Sequence, residues 1–308
     1  MTLKDRYVVT AGTACIDEYY KAQCWPEEGN KGLIEKTGEM VGGMIANAAC
    51  VFAGYGVKTF FFDMLNSGKV TEYILKDLEG YGVDVSPVVF NDALPDAKTI
   101  ITLTPGERTI LVVDGHKPEV RLEGERLELF RNSSYVYTTI SEFRRFKDSL
   151  ELAGDLKKHG VNIVFDIEAS TFDTEDTELL KCADILFFND FGFKKFCAGT
   201  DAETCFQSLF NSGVKIVTVT LGKEGSYTRT PAEEDRTKAI PFEAVDTTGA
   251  GDTFNSSFIS SLLMGRDIHG AAKFANTAAS LSITKLGPKG GVSDTAAIET
   301  LMKKYYED

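Results

Sequence analysis

Histidine is scarce in this chain, with three residues in 308. The six cysteines (Cys15, Cys24, Cys50, Cys182, Cys197, Cys205) never fall into a C-x-x-C pair. Without paired thiols or a short histidine spacing, a zinc site does not organise this protein. The thiols read instead as buried, reduced side chains in a reducing compartment. Basic residues are outnumbered, and the formal charge of −13 argues against a nucleic-acid partner, whose phosphates need excess Lys and Arg. No run approaches the roughly 18 apolar residues of a membrane span. The N-terminus, MTLKDRYVVTAG, lacks an apolar core of signal-peptide length. A cytoplasmic protein with no membrane partner is expected.

Several phosphate-binding motifs are missing too. A Walker A loop needs G-x-x-x-x-G-K-[ST], and Gly56-Val57-Lys58-Thr59 has valine where the second glycine belongs. No G-x-G-x-x-G follows the first apolar run, and Gly42-Gly43-Met44 does not supply one. The H-R-D of protein kinases is absent.

What is present is globular: 43% hydrophobic and 26% charged residues. Tyr7–Thr13, Lys58–Asp63, Ser134–Ile140, Val161–Asp166, Asp184–Asn189 and Lys215–Leu221 read as short buried strands. Val41–Tyr55, Thr71–Tyr81 and Leu150–His159 read as helices or turn-and-helix segments. Alternating strands and helices imply a parallel sheet covered on both faces, with ligands at the carboxyl ends of its strands. Lys98–Leu103 and Arg108–Asp114 break this rhythm. Joined by Thr104-Pro105-Gly106-Glu107, they predict a β-hairpin, and Glu18–Lys36 offers further strands to the same small antiparallel sheet.

The most informative stretch is DTTGAGDTF, Asp246 to Phe254. Phe254, Phe258 and Leu262 recur on one helical face, so the glycines stand at a helix N-terminus. Unpaired amides and the positive end of the helix dipole make an anion site there. Bare residues at Gly249, Ala250 and Gly251 would let an anion reach those amides. Asp252 then has two readings of about equal weight: a helix N-cap, or a general base beside the anion site.

These residues resemble the C-terminal signature of the ribokinase-like (PfkB) carbohydrate kinases. Gly42-Gly43-Met44-Ile45-Ala46-Asn47 is similar to that family's N-terminal glycine-glycine segment, and the likeness covers nearly the whole chain. Ketohexokinases are the nearer resemblance within the family, through Val70–Val85, Arg108–Asp114 and Asp246–Asn255. The resemblance implies one three-layer α/β/α domain over residues 1–308, its sheet mainly parallel, with antiparallel lid strands inserted at about 15–40 and 95–115. It implies an ATP- and Mg²⁺-dependent phosphotransferase acting on a small sugar. Asp252 would be the base and the amides of Gly249, Ala250 and Gly251 the anion hole. Asp17, Gly42, Gly43 and Asn47 would bind sugar hydroxyls. Thr220, Gly222 and Gly225 would meet the ATP phosphates, Asn276 would line the adenine pocket, and Arg108 would reach the phosphates from the lid. Asp246 and Thr248 resemble the monovalent-cation loop, which suits K⁺.

The sequence departs from the family pattern at three places. Asn189 keeps its place in the N-x-x-E segment that organises Mg²⁺, but Gly192 stands where the glutamate would be. Met44 replaces the amide side chain of ketohexokinases, and the region of Gly29-Asn30 lacks a sugar-binding acid. Two other functions remain open: a catalytically silent sugar-binding regulator, and a nucleoside or vitamin kinase with an aromatic clamp drawn from Tyr19, Tyr20 or Trp25. An apolar lid sheet would need cover, which predicts a homodimer formed through the lid.

Overall fold

A computed structural model of the chain describes residues 6–105, 107–113, 115–167 and 176–306. The chain opens with β1 (Tyr7–Ala11) and crosses into the lid as β2 (Cys15–Ala22) and β3 (Ile34–Gly42). It returns through the helix Met44–Gly54 to β4 (Lys58–Phe62). A short pair, β5 (Met64–Leu65) and β6 (Val89–Phe90), brackets the helix Lys69–Gly80, and β7 (Lys98–Thr104) and β8 (Glu107–Val112) complete the lid. The remainder alternates with helices: β9 (Tyr135–Thr139), β10 (Asn162–Ile167), β11 (Ile185–Asn189), β12 (Ile216–Thr220), β13 (Ser226–Arg229) and β14 (Glu234–Thr237).

Eight strands form the main sheet in the order β14-β13-β12-β11-β10-β9-β1-β4. From β12 to β4 every pairing is parallel, and β13 and β14 add an antiparallel edge. The central strands are apolar on both faces because helices cover both. Adjacent residues of β4 show it: Phe61 enters the core cluster with Phe52, Phe258 and Phe274, while Phe60 and Phe62 join Phe130, Phe143 and Phe165 opposite. This is the three-layer α/β/α arrangement expected from the alternation.

The lid is a four-stranded sheet in the order β3-β2-β7-β8. Its outer pairings are antiparallel, as the hairpin reading predicts, but the central pair β2–β7 is parallel. The two lid segments both start at the main domain and run outward, so they meet side by side in the same direction. Gly106 in the hairpin turn and Asp114 lie outside the described residues.

The thiol expectation holds for Cys15, Cys50, Cys197 and Cys205, which are buried and free. Cys24 is exposed and Cys182 half-buried, a correction: Cys24 lies in the loop between β2 and β3, which packs on nothing that would cover it. No helix among the described residues is long and apolar enough to cross a membrane.

Candidate active site

The signature helix spans Ala250–Leu263, with Phe254 and Phe258 buried against Phe187. Its N-cap is Gly249, at φ 76°. Only glycine takes this left-handed conformation at no cost. A Cβ at Gly249 would also lie 2.0 Å from the Pro288 carbonyl oxygen. Asp252 is therefore the third residue of the helix and not its cap. Its carboxylate accepts a 2.8 Å hydrogen bond from Asn47 Nδ2. The three amides of the expected anion hole are not equivalent. The Ala250 amide donates to the Thr247 carbonyl at 3.3 Å, whereas no backbone hydrogen bond outside the helices involves the Gly249 or Gly251 amide among the described residues.

Asn47 comes from the other end of the chain, on the helix Met44–Gly54. That helix is packed with small residues, and Ala46, Ala48 and Ala49 are fully buried, which lets it lie close against the signature helix. Tyr55 and Ser257 share a 2.8 Å hydrogen bond across the same contact. Asn47 is itself buried, and its Oδ1 has no partner among the described residues.

Asp17 projects from β2 and is buried. Burial pushes its carboxyl above the usual carboxylate range, and hydrogen bonds from Cys15 and Thr99 pull it back. Gly42 must be bare, because a Cβ there would sit 2.0 Å from Asp17 Oδ2. Cys15 Sγ lies 3.5 Å from Asp17 Oδ1 and 3.4 Å from Thr99 Oγ1. Burial raises this thiol to about 12, so it stays protonated and donates.

Beside the start of the signature helix lies a cavity of about 500 Å³. Thr220, Gly222, Gly225 and Asn276, four of the residues expected to meet a nucleotide, line it together with Ala250 and Gly251. Asn276 donates to Ser226 Oγ at 2.8 Å. Sequence reasoning missed the apolar wall formed by Ile240, Pro241, Phe242, Ala279 and Ile283. The loop carrying the first three has no periodic pattern to announce it.

The remaining expected residues have other employment. Asn189 caps the helix Asp190–Cys197, its Oδ1 accepting the Gly192 amide at 2.6 Å. Asp246 closes a loop: Oδ1 accepts the Thr248 amide at 2.9 Å and Oδ2 the Gly287 amide at 3.0 Å. The Arg108 side chain lies outside the described residues. Among those described, no group of three or more His, Cys, Asp or Glu could hold a metal ion.

A fold with a lidded parallel sheet and a carboxylate beside bare helix amides defines a phosphotransfer enzyme of the ribokinase-like type. The profile described as "pfkB family carbohydrate kinase" matches residues 5–295, so the chain belongs to that family and is a carbohydrate kinase. It is 30% identical to a ribokinase of Arabidopsis thaliana over 317 aligned positions, covering 96% of this chain and 81% of that one. It is 27% identical to an ATP-dependent ribose-1-phosphate kinase of Halopiger xanaduensis, covering 97% and 99%. A solved structure of Arabidopsis thaliana ribokinase with ribose and ATP superposes with a TM-score of 0.84 at 27% identity, covering 97% of this chain and 99% of that chain.

Proposed function

We propose that this carbohydrate kinase transfers the γ-phosphoryl group of ATP to a hydroxyl of a small sugar, with Asp252 as the general base. The observation that carries the reading is the Asn47–Asp252 hydrogen bond. It joins the carboxylate of the signature helix, whose first residues line the large cavity, to the N-terminal glycine-glycine helix. ATP fits the cavity: the apolar wall takes a planar base, and the open helix N-terminus takes the phosphates. The sugar lies against Asp17, Asn47 and the Gly42-Gly43 backbone. Asp252 takes the proton of the attacking hydroxyl, and the Gly249 and Gly251 amides meet the charge that develops on the transferred group.

Magnesium, when bound, offsets the negative charge of the β- and γ-phosphates. The chain gives it few direct ligands, since Asn189 Oδ1 is engaged by Gly192. The ion would ride on the phosphates and its own waters. Asp246 and Thr248 would hold potassium. Asp246 gathers the Thr248 and Gly287 amides into one loop beside the helix N-terminus, and turnover in potassium against sodium buffer tests the assignment.

The sugar panel is the decisive experiment. Coupled ADP release with fructose, ribose, ribose 1-phosphate, 5-dehydro-2-deoxygluconate and nucleosides should show turnover on a free sugar. Absence of turnover with every sugar, together with sugar-induced thermal stabilisation, would establish a silent regulator instead. Turnover on a nucleoside alone would move the substrate class.

The lid also supports a dimer. Ile110 and Val112 are exposed on one face of the edge strand β8 and Leu111 on the other. A second lid packed on the Ile110 and Val112 face would cover apolar surface there, and sedimentation as a monomer at micromolar concentration would refute the dimer.

A further inference from the structure

The lid joins the main domain at four crossings: Gly12–Ala14, Gly42-Gly43, residues 91–97 and residues 113–123. Two of them, and the strand β6 that leads into a third, converge on Asp63, the residue after β4. Its Oδ2 accepts the Ala14 amide at 3.4 Å, at the start of β2. Its backbone carbonyl accepts the Val89 amide at 2.9 Å, on the strand that leads to β7. Its Oδ1 accepts the Met64 amide at 2.7 Å and the Lys117 ammonium at 2.6 Å, on the path out of β8. The fourth crossing packs on the first, since a Cβ at Gly43 would lie 2.5 Å from the Thr13 carbonyl oxygen. Asp63 is fully enclosed, and Lys117 is partly buried, its side chain 16% exposed.

A buried ion pair adds little stability over apolar residues of the same volume, so its use here is geometric. The geometry also leads to the sugar side. Lys117 lines a small cavity of about 50 Å³ together with Cys15 and Thr99, the two side chains that hold Asp17. The Ala14 amide, fixed by Asp63, begins the strand that carries Asp17.

We propose that the Asp63–Lys117 pair is the pivot that sets the lid on the main domain, and that it positions Asp17 for sugar binding. The inference rests on the sugar-site reading above. Asp63 and Lys117 are positioning residues that need not touch sugar or ATP.

The test compares Lys117→Met, Lys117→Arg and the neutral double variant Asp63→Asn/Lys117→Met, with Asp17→Asn as control. The double variant removes both charges and keeps an oxygen for one of the two amides, Met64 on Oδ1 or Ala14 on Oδ2, so its fold is verified by circular dichroism and thermal denaturation before kinetics. In Lys117→Met and the double variant, KM for the sugar should rise about tenfold, with kcat and KM for ATP within about threefold of wild type. Lys117→Arg should bring the sugar KM back to within about threefold. The sugar-induced thermal shift should shrink in the same order. An unchanged sugar KM in the folded double variant, or sugar and ATP constants rising together, overturns the pivot. If Asp17→Asn leaves the sugar KM unchanged, the sugar-site reading fails. If Asp17→Asn raises it and the lysine variants do not, only the pivot fails.

Discussion

Two glycines that flank Ala250 should respond in opposite ways to one methyl group. At Gly249, the new Cβ would stand 2.0 Å from the Pro288 carbonyl oxygen, whereas ordinary contact begins at 3.4 Å. Roughly 1.4 Å must open, and alanine in the left-handed region costs a further 1–2 kcal/mol or so. Pro288 cannot retreat easily. The preceding residue is held by the Gly287–Asp246 hydrogen bond, and the following one by the Lys289–Asp77 ion pair. The helix N-terminus must therefore move. Donors to a developing oxyanion work at about 2.7–3.1 Å, so a displacement above about 1 Å forfeits them. Gly249→Ala should lower kcat by about 10²–10³-fold and lower Tm. At Gly251 a Cβ would meet nothing within 4 Å, and the residue is already helical. Gly251→Ala should stabilise the fold by about 0.5–1 kcal/mol. Its methyl points into the large cavity, so KM for ATP should still rise. Coupled ADP release and thermal denaturation read both variants. A Gly249→Ala enzyme with kcat within about threefold of wild type would refute the reasoning.

Asp252→Asn should reduce kcat at least about 10²-fold while ATP binding, measured by equilibrium fluorescence, stays within about threefold. Phe258 is fully buried between Phe187 and Phe254, so Phe258→Ala should cost about 3–5 kcal/mol in denaturant unfolding. Asp166 gives a pH prediction. Burial raises its carboxyl from 3.8 to about 6 in the fold, although Tyr137 and Asn255 donate to it. A folded pKa above the unfolded one contributes stability below 3.8 that is lost as pH rises through about 6. Asp166→Asn should therefore gain Tm relative to wild type between about pH 4 and pH 7, and a constant difference would contradict the assignment.

The strands of the main sheet were legible because burial on both faces demands uninterrupted apolar runs, and KTFFFD or DILFFN can be little else. The direction of pairing inside the lid was not. Side-chain alternation reports which face is buried but says nothing of whether β2 and β7 run together or opposed. Within the site, the signature left Asp252 divided between cap and base. The left-handed Gly249 removes the cap reading, and only backbone geometry could do so. Asp63 shows a different limit. The strand reading Lys58–Asp63 included it, but nothing in that pattern announced its partner Lys117, 54 positions away. The cavity wall at Ile240–Phe242 was hidden for a related reason, since an irregular loop joins the cavity lining only together with Ala279 and Ser280 of the helix Ile268–Ser282 and the following Ile283.

The Asn47–Asp252 hydrogen bond spans 205 positions of the chain. A ribosome adding about 5–20 residues per second makes the asparagine some 10–40 s before the aspartate exists. Throughout that interval the growing polypeptide lacks the carboxylate proposed as the base. A fragment ending short of residue 252 lacks it permanently. If that assignment holds, phosphoryl transfer waits on near-complete synthesis, and nascent chains and amino-terminal fragments do not turn over ATP at this site.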